Sequence, residues 1–280
     1  MAIRDKAGNL RGKAGDKINR VINNKNVVQT IPDYVHQTQE TKKCSGEWGL
    51  VSTTGKVIRR AMSYVCEAYD SGITNRLNAL IKESLASGGK AILQRDLHDA
   101  DLRGFSGFEF NIKSPADKAF KVQPLVSVDE NYTILISLPA FSGQQSVVYP
   151  QSQSQVRCSL CFSITALNFR EEYYIRMERR EVDIKLGENS AAEWSFTPIV
   201  PADCILFVCM SLHYYTEDSV VGRRYLNGKD WSPAEILTAF HTGEGNTDKD
   251  SARALEKEQL AGYRGNEILR NLGGSTDSQN

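Results

Sequence analysis

Apolar residues recur at steps of three and four between Trp48 and Tyr69, through Val51, Gly55, Ile58, Met62 and Val65. That spacing draws a stripe along one side of an amphipathic helix, the side that packs on a neighbour. Ser71-Gly72 interrupts it, and Ile73, Leu77, Leu80, Ile81 and Leu85 form a second stripe that stops at Ser87-Gly88-Gly89. Two helices with so short a connection predict an antiparallel helical hairpin. A third, shorter helix is expected from Lys90 to Leu102, with Ile92, Leu93 and Leu97 turned inward and Gly104 closing it.

From Phe105 the period drops to two. Phe108, Phe110 and Ile112 alternate with Glu109, Asn111 and Lys113, and the runs 122–128, 133–138, 156–167, 173–186, 193–199 and 204–215 read as further strands between turn clusters. Seven strands in roughly 110 residues is the size and spacing of an immunoglobulin-like antiparallel β-sandwich. The run 173–186 is crowded with charge (Arg176, Glu178, Arg179, Arg180, Glu181, Asp183, Lys185), which suits a solvated face or a protected sheet edge. Asn227-Gly228 is a favoured hairpin turn. Ser232-Pro233-Ala234-Glu235 has the form of a capping box opening a short helix through Ile236, Leu237 and Phe240. The fold class expected is α+β: a flexible basic arm over 1–33, a helical region over 34–104, the sandwich with its capping hairpin and helix over 105–242, and a polar tail over 243–280. One helix is expected in that tail, from Ser251 to Ala261.

Charge changes the picture only at the start of the chain. The 280 residues carry no net charge, yet Arg4, Lys6, Arg11, Lys13, Lys17, Arg20 and Lys25 face only Asp5 and Asp16 within the first thirty. Gly8, Gly12 and Gly15 loosen this segment, and a positive, adaptable arm of this kind usually holds something. Its cations suit nucleic-acid phosphates, but it has no aromatic residue on which a base would stack. Residues 18–28, with Val21, Ile22, Val27 and Val28, suit addition of a strand or clasp to a neighbouring subunit or to the chain's own sandwich, and this reading, assembly or intrachain clasping, is favoured over nucleic acid. At 40% hydrophobic and 24% charged the composition is that of a globular chain. The start has no apolar leader and the longest apolar run, Cys204 to Leu212, is far short of a membrane span, so the expected compartment is the cytoplasm or a larger particle.

Few residues suggest chemistry. Cys158 and Cys161 have the spacing of a metal knuckle that Cys204 and Cys209 would complete. Residues three apart on a strand face opposite sides, however, so all four read as reduced core thiols. Asp96, His98, Asp99 and Asp101 form an acidic group with one histidine, read as a polar helix face, and the histidines at 36, 98, 213 and 241 show no zinc-enzyme spacing. Serine elbows and dinucleotide fingerprints are absent, and residues 12–17 lack the strand and the closing Lys-Ser/Thr of a phosphate loop. No cofactor or metal is expected. Tyr173, Tyr174, Tyr214, Tyr215, Tyr225 and Trp231 fall near strand ends, where exposed rings stack on sugars or proteins, but alternate residues of such runs point inward, and core and corner packing is the favoured reading of these rings.

Gly8-Asn9-Leu10-Arg11-Gly12-Lys13-Ala14-Gly15, then Asn26-Val27-Val28-Gln29-Thr30-Ile31-Pro32, then Gln37-Thr38-Gln39-Glu40-Thr41-Lys42-Lys43 together resemble an uncharacterised domain-of-unknown-function family of Bacteroidota. Its members open with a Gly-x-x-Gly-Lys-x-Gly lead, a short Val-Val/Ile and Arg-x-x-Pro passage and a Thr-x-x-Gln run before a helix. The resemblance covers most of residues 8–242 and departs at Gln29-Thr30-Ile31-Pro32, where an arginine is usual, and at Asp16-Lys17, where the lead often continues with small or apolar residues. It implies a two-part layout with a strand-rich second half, and no activity, cofactor or site. The function expected is that of a non-enzymatic structural or protein-interaction subunit, binding a protein partner or itself through Arg11, Lys13, Lys17, Arg20 and Lys25. The alternatives are a carbohydrate-binding or adhesion module using Tyr214, Tyr215 and Trp231, and a nucleic-acid-associated protein using the basic arm.

Overall fold

The computed structural model describes every residue except 1, 7, 24, 34–36, 67, 151–155, 185–188, 221, 246–254 and 274–280. His36, the turn at Gly187-Glu188 and residues 251–254 of the helix expected from Ser251 to Ala261 lie outside the described residues; over 255–261 that helix does not form, and Glu258–Gln259 is a short strand instead. The chain divides into two compact units, Met1–Lys42 and Lys43–Asn280. The first is an antiparallel meander of β1 (Ile3–Arg4), β2 (Leu10–Ala14), β3 (Lys17–Ile22) and β4 (Lys25–Thr30), in that spatial order. This corrects the expectation of a flexible arm over 1–33. Gly15, with φ of +62°, and Asn23, with φ of +50°, supply the left-handed residues that tight hairpins after Ala14 and Ile22 require. Of the glycines that suggested looseness, Gly8 and Gly15 belong to turns, and Gly12 lies within β2 opposite Asn19.

The second unit is α+β. Helix α1 (Gln39–Ala61) begins earlier than the apolar stripe because Thr38 caps it, its hydroxyl accepting the Thr41 N–H at 3.1 Å. Val51, Ile58 and Met62 are buried, whereas Trp48, at 55% exposure, is off the stripe. Helix α2 (Ile73–Ser87) packs on α1 where Gly55 leaves room for Asn78 and Ile81. Asp70 ties the joint down: its carboxylate accepts from the Gly72 N–H (2.6 Å), Arg76 (2.8 Å) and the Ile112 N–H (3.1 Å), and Arg76 above all holds its pKa at about 2. The third expected helix is absent. Leu93 has φ of +65°, and only Leu97–Asp99 makes a 3-10 turn, capped by the Asp96 carboxylate.

All seven expected strands form: β5 (Phe108–Glu109), β6 (Leu125–Val128), β7 (Ile134–Ser142), β8 (Arg157–Asn168), β9 (Tyr173–Ile184), β10 (Asn189–Phe196) and β11 (Ile205–Asp218). Three more join them: β12 (Gly222–Tyr225), β13 (Ala234–His241) and β14 (Glu258–Gln259). Their arrangement differs from the one expected. A seven-stranded antiparallel sheet runs β14-β9-β8-β11-β13-β5 with β12 on β11, and a separate three-stranded sheet runs β10-β7-β6. One face of the large sheet, with Phe207, Cys209 and Ile236, shares a core with α1 and α2; the other, with Phe162, Ile164, Val208 and Met210, shares a core with Ile134 and Ile136 of the small sheet. Covered on both faces, β8 and β11 are nearly continuous apolar runs.

Two local signals give way to pairing. The predicted capping helix is strand β13: Ala234 to His241 add to the edge of β11, and the Ser232 N–H donates to Ser114 Oγ instead of entering a helix. The turn expected at Asn227-Gly228 forms two residues later, around Lys229-Asp230, with Gly228 and Trp231 exchanging hydrogen bonds of 3.0 Å. Nor is the stretch from 243 wholly a polar tail. Leu260 and Tyr263 are buried beside α1, and α3 (Gly265–Gly273) packs on it through Ile268, which lies against Gly49. Among the described residues no helix is long and apolar enough to cross a membrane.

Candidate interaction surface

Cross-strand register assigns each side chain of the N-terminal sheet to a face. Arg11 stands opposite Ile3, Lys13 opposite Ile18, Ile18 opposite Gln29, Arg20 opposite Val27 and Ile22 opposite Lys25. Directly paired residues share a face and the side-chain period is two. One face therefore gathers Arg11, Lys13, Arg20 and Lys25 among Ile3, Ile18, Ile22 and Val27. Lys17 lies on the other with Arg4, Leu10, Val21 and Val28. The structure thus brings four of the five predicted cations together and sets the fifth apart. Arg11 Nε donates to Asp5 Oδ2 at 3.0 Å, which fixes one corner of the face.

No described residue from 2 to 30 is buried. Ile3 is 69% exposed, Val28 56% and Ile22 47%, so apolar side chains stand open on both faces. A sheet this small with no covered face among its described residues is marginal in water.

The predicted aromatic site does not form. Tyr214 and Tyr215, at 0% and 1% exposure, are core residues of the central strand β11, whose two faces are both covered. The Tyr214 hydroxyl donates to the Val148 carbonyl at 2.8 Å, and its ring lies 5.8 Å from that of the half-buried Trp231. Tyr215 points the opposite way, donating to Asp183 at 2.8 Å under the Arg223 guanidinium. The carbohydrate reading therefore loses two of its three stacking groups.

The acidic group around His98 is engaged in structure. His98 Nε2 accepts the Phe169 N–H at 3.1 Å while Nδ1 faces Asp203 at 3.3 Å, and burial chiefly lowers its pKa, so the ring serves as a neutral strut. Arg170 joins Asp96, Asp99 and Asp203, Lys90 pairs with Asp99, and Arg103 with Asp101. A cavity of about 620 Å³ beside it is lined by Arg170, Glu172, Lys257 and Tyr263, but Arg170 is already committed and Lys257 sits over the Tyr173 ring. Cys158 is buried toward the small sheet, Cys161 turns the other way toward Arg179, and burial raises the pKa of both thiols. Among the described residues no three His, Cys, Asp or Glu side chains converge as a metal site requires.

Pattern reading missed one constellation. Glu109 of β5 stands directly opposite Glu235 of β13. The Phe110 N–H to Ala234 C=O bond of 2.9 Å makes this the close, non-hydrogen-bonded kind of antiparallel pair. Glu109 Oε1 accepts the Ala116 N–H at 2.9 Å, whereas Glu109 Oε2 and Glu235 Oε1 are buried without a hydrogen-bond partner. Burial above all raises both pKa values, that of Glu109 to about 8. The alternation around Glu109 was visible in the sequence, but Glu235 read as helical and so had no strand to face.

No protein-family model, no curated protein and no solved structure matches this chain.

Proposed function

We propose that the protein is a non-enzymatic interaction subunit that meets its partner through the N-terminal sheet. The observation that carries this reading is the sheet itself: four strands in defined register, apolar groups on both faces, four cations gathered on one, and no buried residue among those described from 2 to 30. A sequence that specifies a sheet but gives it no core of its own is best explained by a partner that completes it. The immunoglobulin-like and helical-hairpin readings belong to the same proposal. They are supported by two sheets sharing one core and two helices sharing the other.

Light scattering on the full chain and on a variant lacking residues 1–38 tests it, together with capture of partners by each. Association or capture lost with the deletion supports the reading; both retained in full defeats it. A nucleic-acid reading is favoured by one observation, the clustering of Lys13, Arg20 and Lys25 with Arg11 on one face. It requires heparin or nucleic-acid binding that weakens steeply with salt and is lost when those three residues become alanine.

A further inference from the structure

The geometry points to β4 as a pairing edge: we propose that it joins β4 of a second copy of this chain across a two-fold axis, turning two four-stranded sheets into one of eight. The inference rests on the reading of the N-terminal sheet as an assembly contact. Its starting point is which backbone groups face outward. The Ile31 N–H donates to the Asp16 carbonyl at 2.7 Å, so the adjoining pair Thr30–Lys17 is of the non-hydrogen-bonded kind. Alternation along the register then directs the N–H and C=O of Lys25, Val27 and Gln29 to β3, and those of Asn26, Val28 and Thr30 to the open edge. No other strand pairs with that edge among the described residues.

This edge lacks the usual defences. Between Lys25 and Thr30 there is no proline, no register shift and only one charge, Lys25 at the end, while Val27, Val28 and Thr30 are β-branched. The contrast lies within the same chain. Among the described residues strand β9 has an open edge beyond Tyr174, since β14 pairs only with Tyr173 and Tyr174, and there Arg176, Glu178, Arg179, Arg180, Glu181 and Asp183 guard it. Pro32, the next outward position after Thr30, has no N–H and so bounds the pairing row of β4.

A two-fold axis through Val28 satisfies that row. It sets Val28 opposite the partner's Val28, Asn26 opposite the partner's Thr30 and Val27 opposite the partner's Gln29, and every outward N–H and C=O of the three residues finds a bond. Faces are preserved, because paired residues have the same parity. An isologous contact of this kind closes on itself as a dimer. Like charge does not oppose it. Lys25 falls opposite the partner's Ile31, and the cations of β3 are three strand spacings, about 14 Å, from those of the partner's β3, beyond the Debye length of about 8 Å at physiological salt.

Sedimentation of the full chain over a range of concentrations tests the proposal with three variants. Val28→Pro removes an outward N–H and leaves the ladder to β3 intact, and it is expected to weaken dimerisation at least about tenfold with an unchanged circular dichroism spectrum. Val28→Lys and Val28→Glu each place like charges opposite one another at the axis, so each alone is expected to be monomeric and their mixture to form the heterodimer. A wild-type chain that stays monomeric, or a dimer that all three variants leave intact, overturns the proposal. A dimer untouched by the Val28 variants but lost on deleting residues 1–38 overturns this pairing alone. A dimer that survives the deletion, with partner capture also retained, overturns the assembly reading as well.

Discussion

Glu109 and Glu235 illustrate how one side-chain pair sets a condition on the whole fold. Two carboxylates in close cross-strand contact, each with a buried oxygen lacking a partner, do not both ionise, and burial keeps the Glu109 proton on up to about pH 8. The folded chain therefore holds a proton that the unfolded chain has released above the ordinary carboxylate range. Stability should fall as pH rises from about 5 to 8. Glu109→Gln keeps the acceptor for the Ala116 N–H and removes the titration. Urea unfolding is expected to show the variant close to wild type at pH 5 and about 2 kcal/mol more stable at pH 8, a value discounted for partial solvent access. An equal effect at both pH values would show that the proton is not held there. Asp70 acts in the opposite sense. Its lowered pKa means that stability is lost as pH falls below about 4 toward 2, and Asp70→Asn, which deprives Arg76 of its carboxylate partner, should cost about 3 kcal/mol at pH 7 and correspondingly less near pH 2.

At the scale of elements, the chain was legible where a pattern depends on its own period and illegible where a neighbour decides. The stripes through Val51, Ile58, Leu77 and Ile81 and the alternation of the seven strands are local properties, and those elements form. Residues 233–240 carry a capping box and a proline suited to helix, yet they form β13, because the edge of β11 offers a whole ladder of hydrogen bonds against one cap. The candidate surface was half legible in the same way. Five cations were visible, but their division between faces depends on register, and register depends on the turns at Gly15 and Asn23. The C-terminal segment looked polar because its anchors are few and isolated: Leu260, Tyr263 and Ile268 are spread among charged residues and glycines. Tyr263, buried against Phe169 with ring centroids 5.5 Å apart, is the strongest of them. Tyr263→Ala is expected to destabilise the second unit by about 3 kcal/mol in denaturant unfolding. A change below about 0.5 kcal/mol, the size of an ordinary surface substitution, would mean the segment is not docked.

For the molecule as a whole, zero net charge conceals an uneven distribution: eight of the 34 basic residues and only four of the 34 acidic ones lie in the first 42 residues. Burial is uneven in the same direction. Both apolar cores belong to the second unit, and none of the described residues from 2 to 30 is buried. Local opening costs little where few apolar contacts must be broken, so amides of the N-terminal sheet should exchange orders of magnitude faster than those of β8 and β11 in dilute protein. Concentration then separates a merely loose sheet from one that a second copy completes. If β4 pairs at its open edge, raising the protein concentration should slow exchange at Asn26, Val28 and Thr30, whose N–H groups point outward. Lys25, Val27 and Gln29, already bonded to β3, should gain only what the stiffening of the whole sheet confers. Residue-resolved hydrogen exchange at two concentrations reads that alternation directly. Uniform slowing along β4 would indicate a partner lying on a face of the sheet, and no slowing at all would leave β4 an unpaired edge.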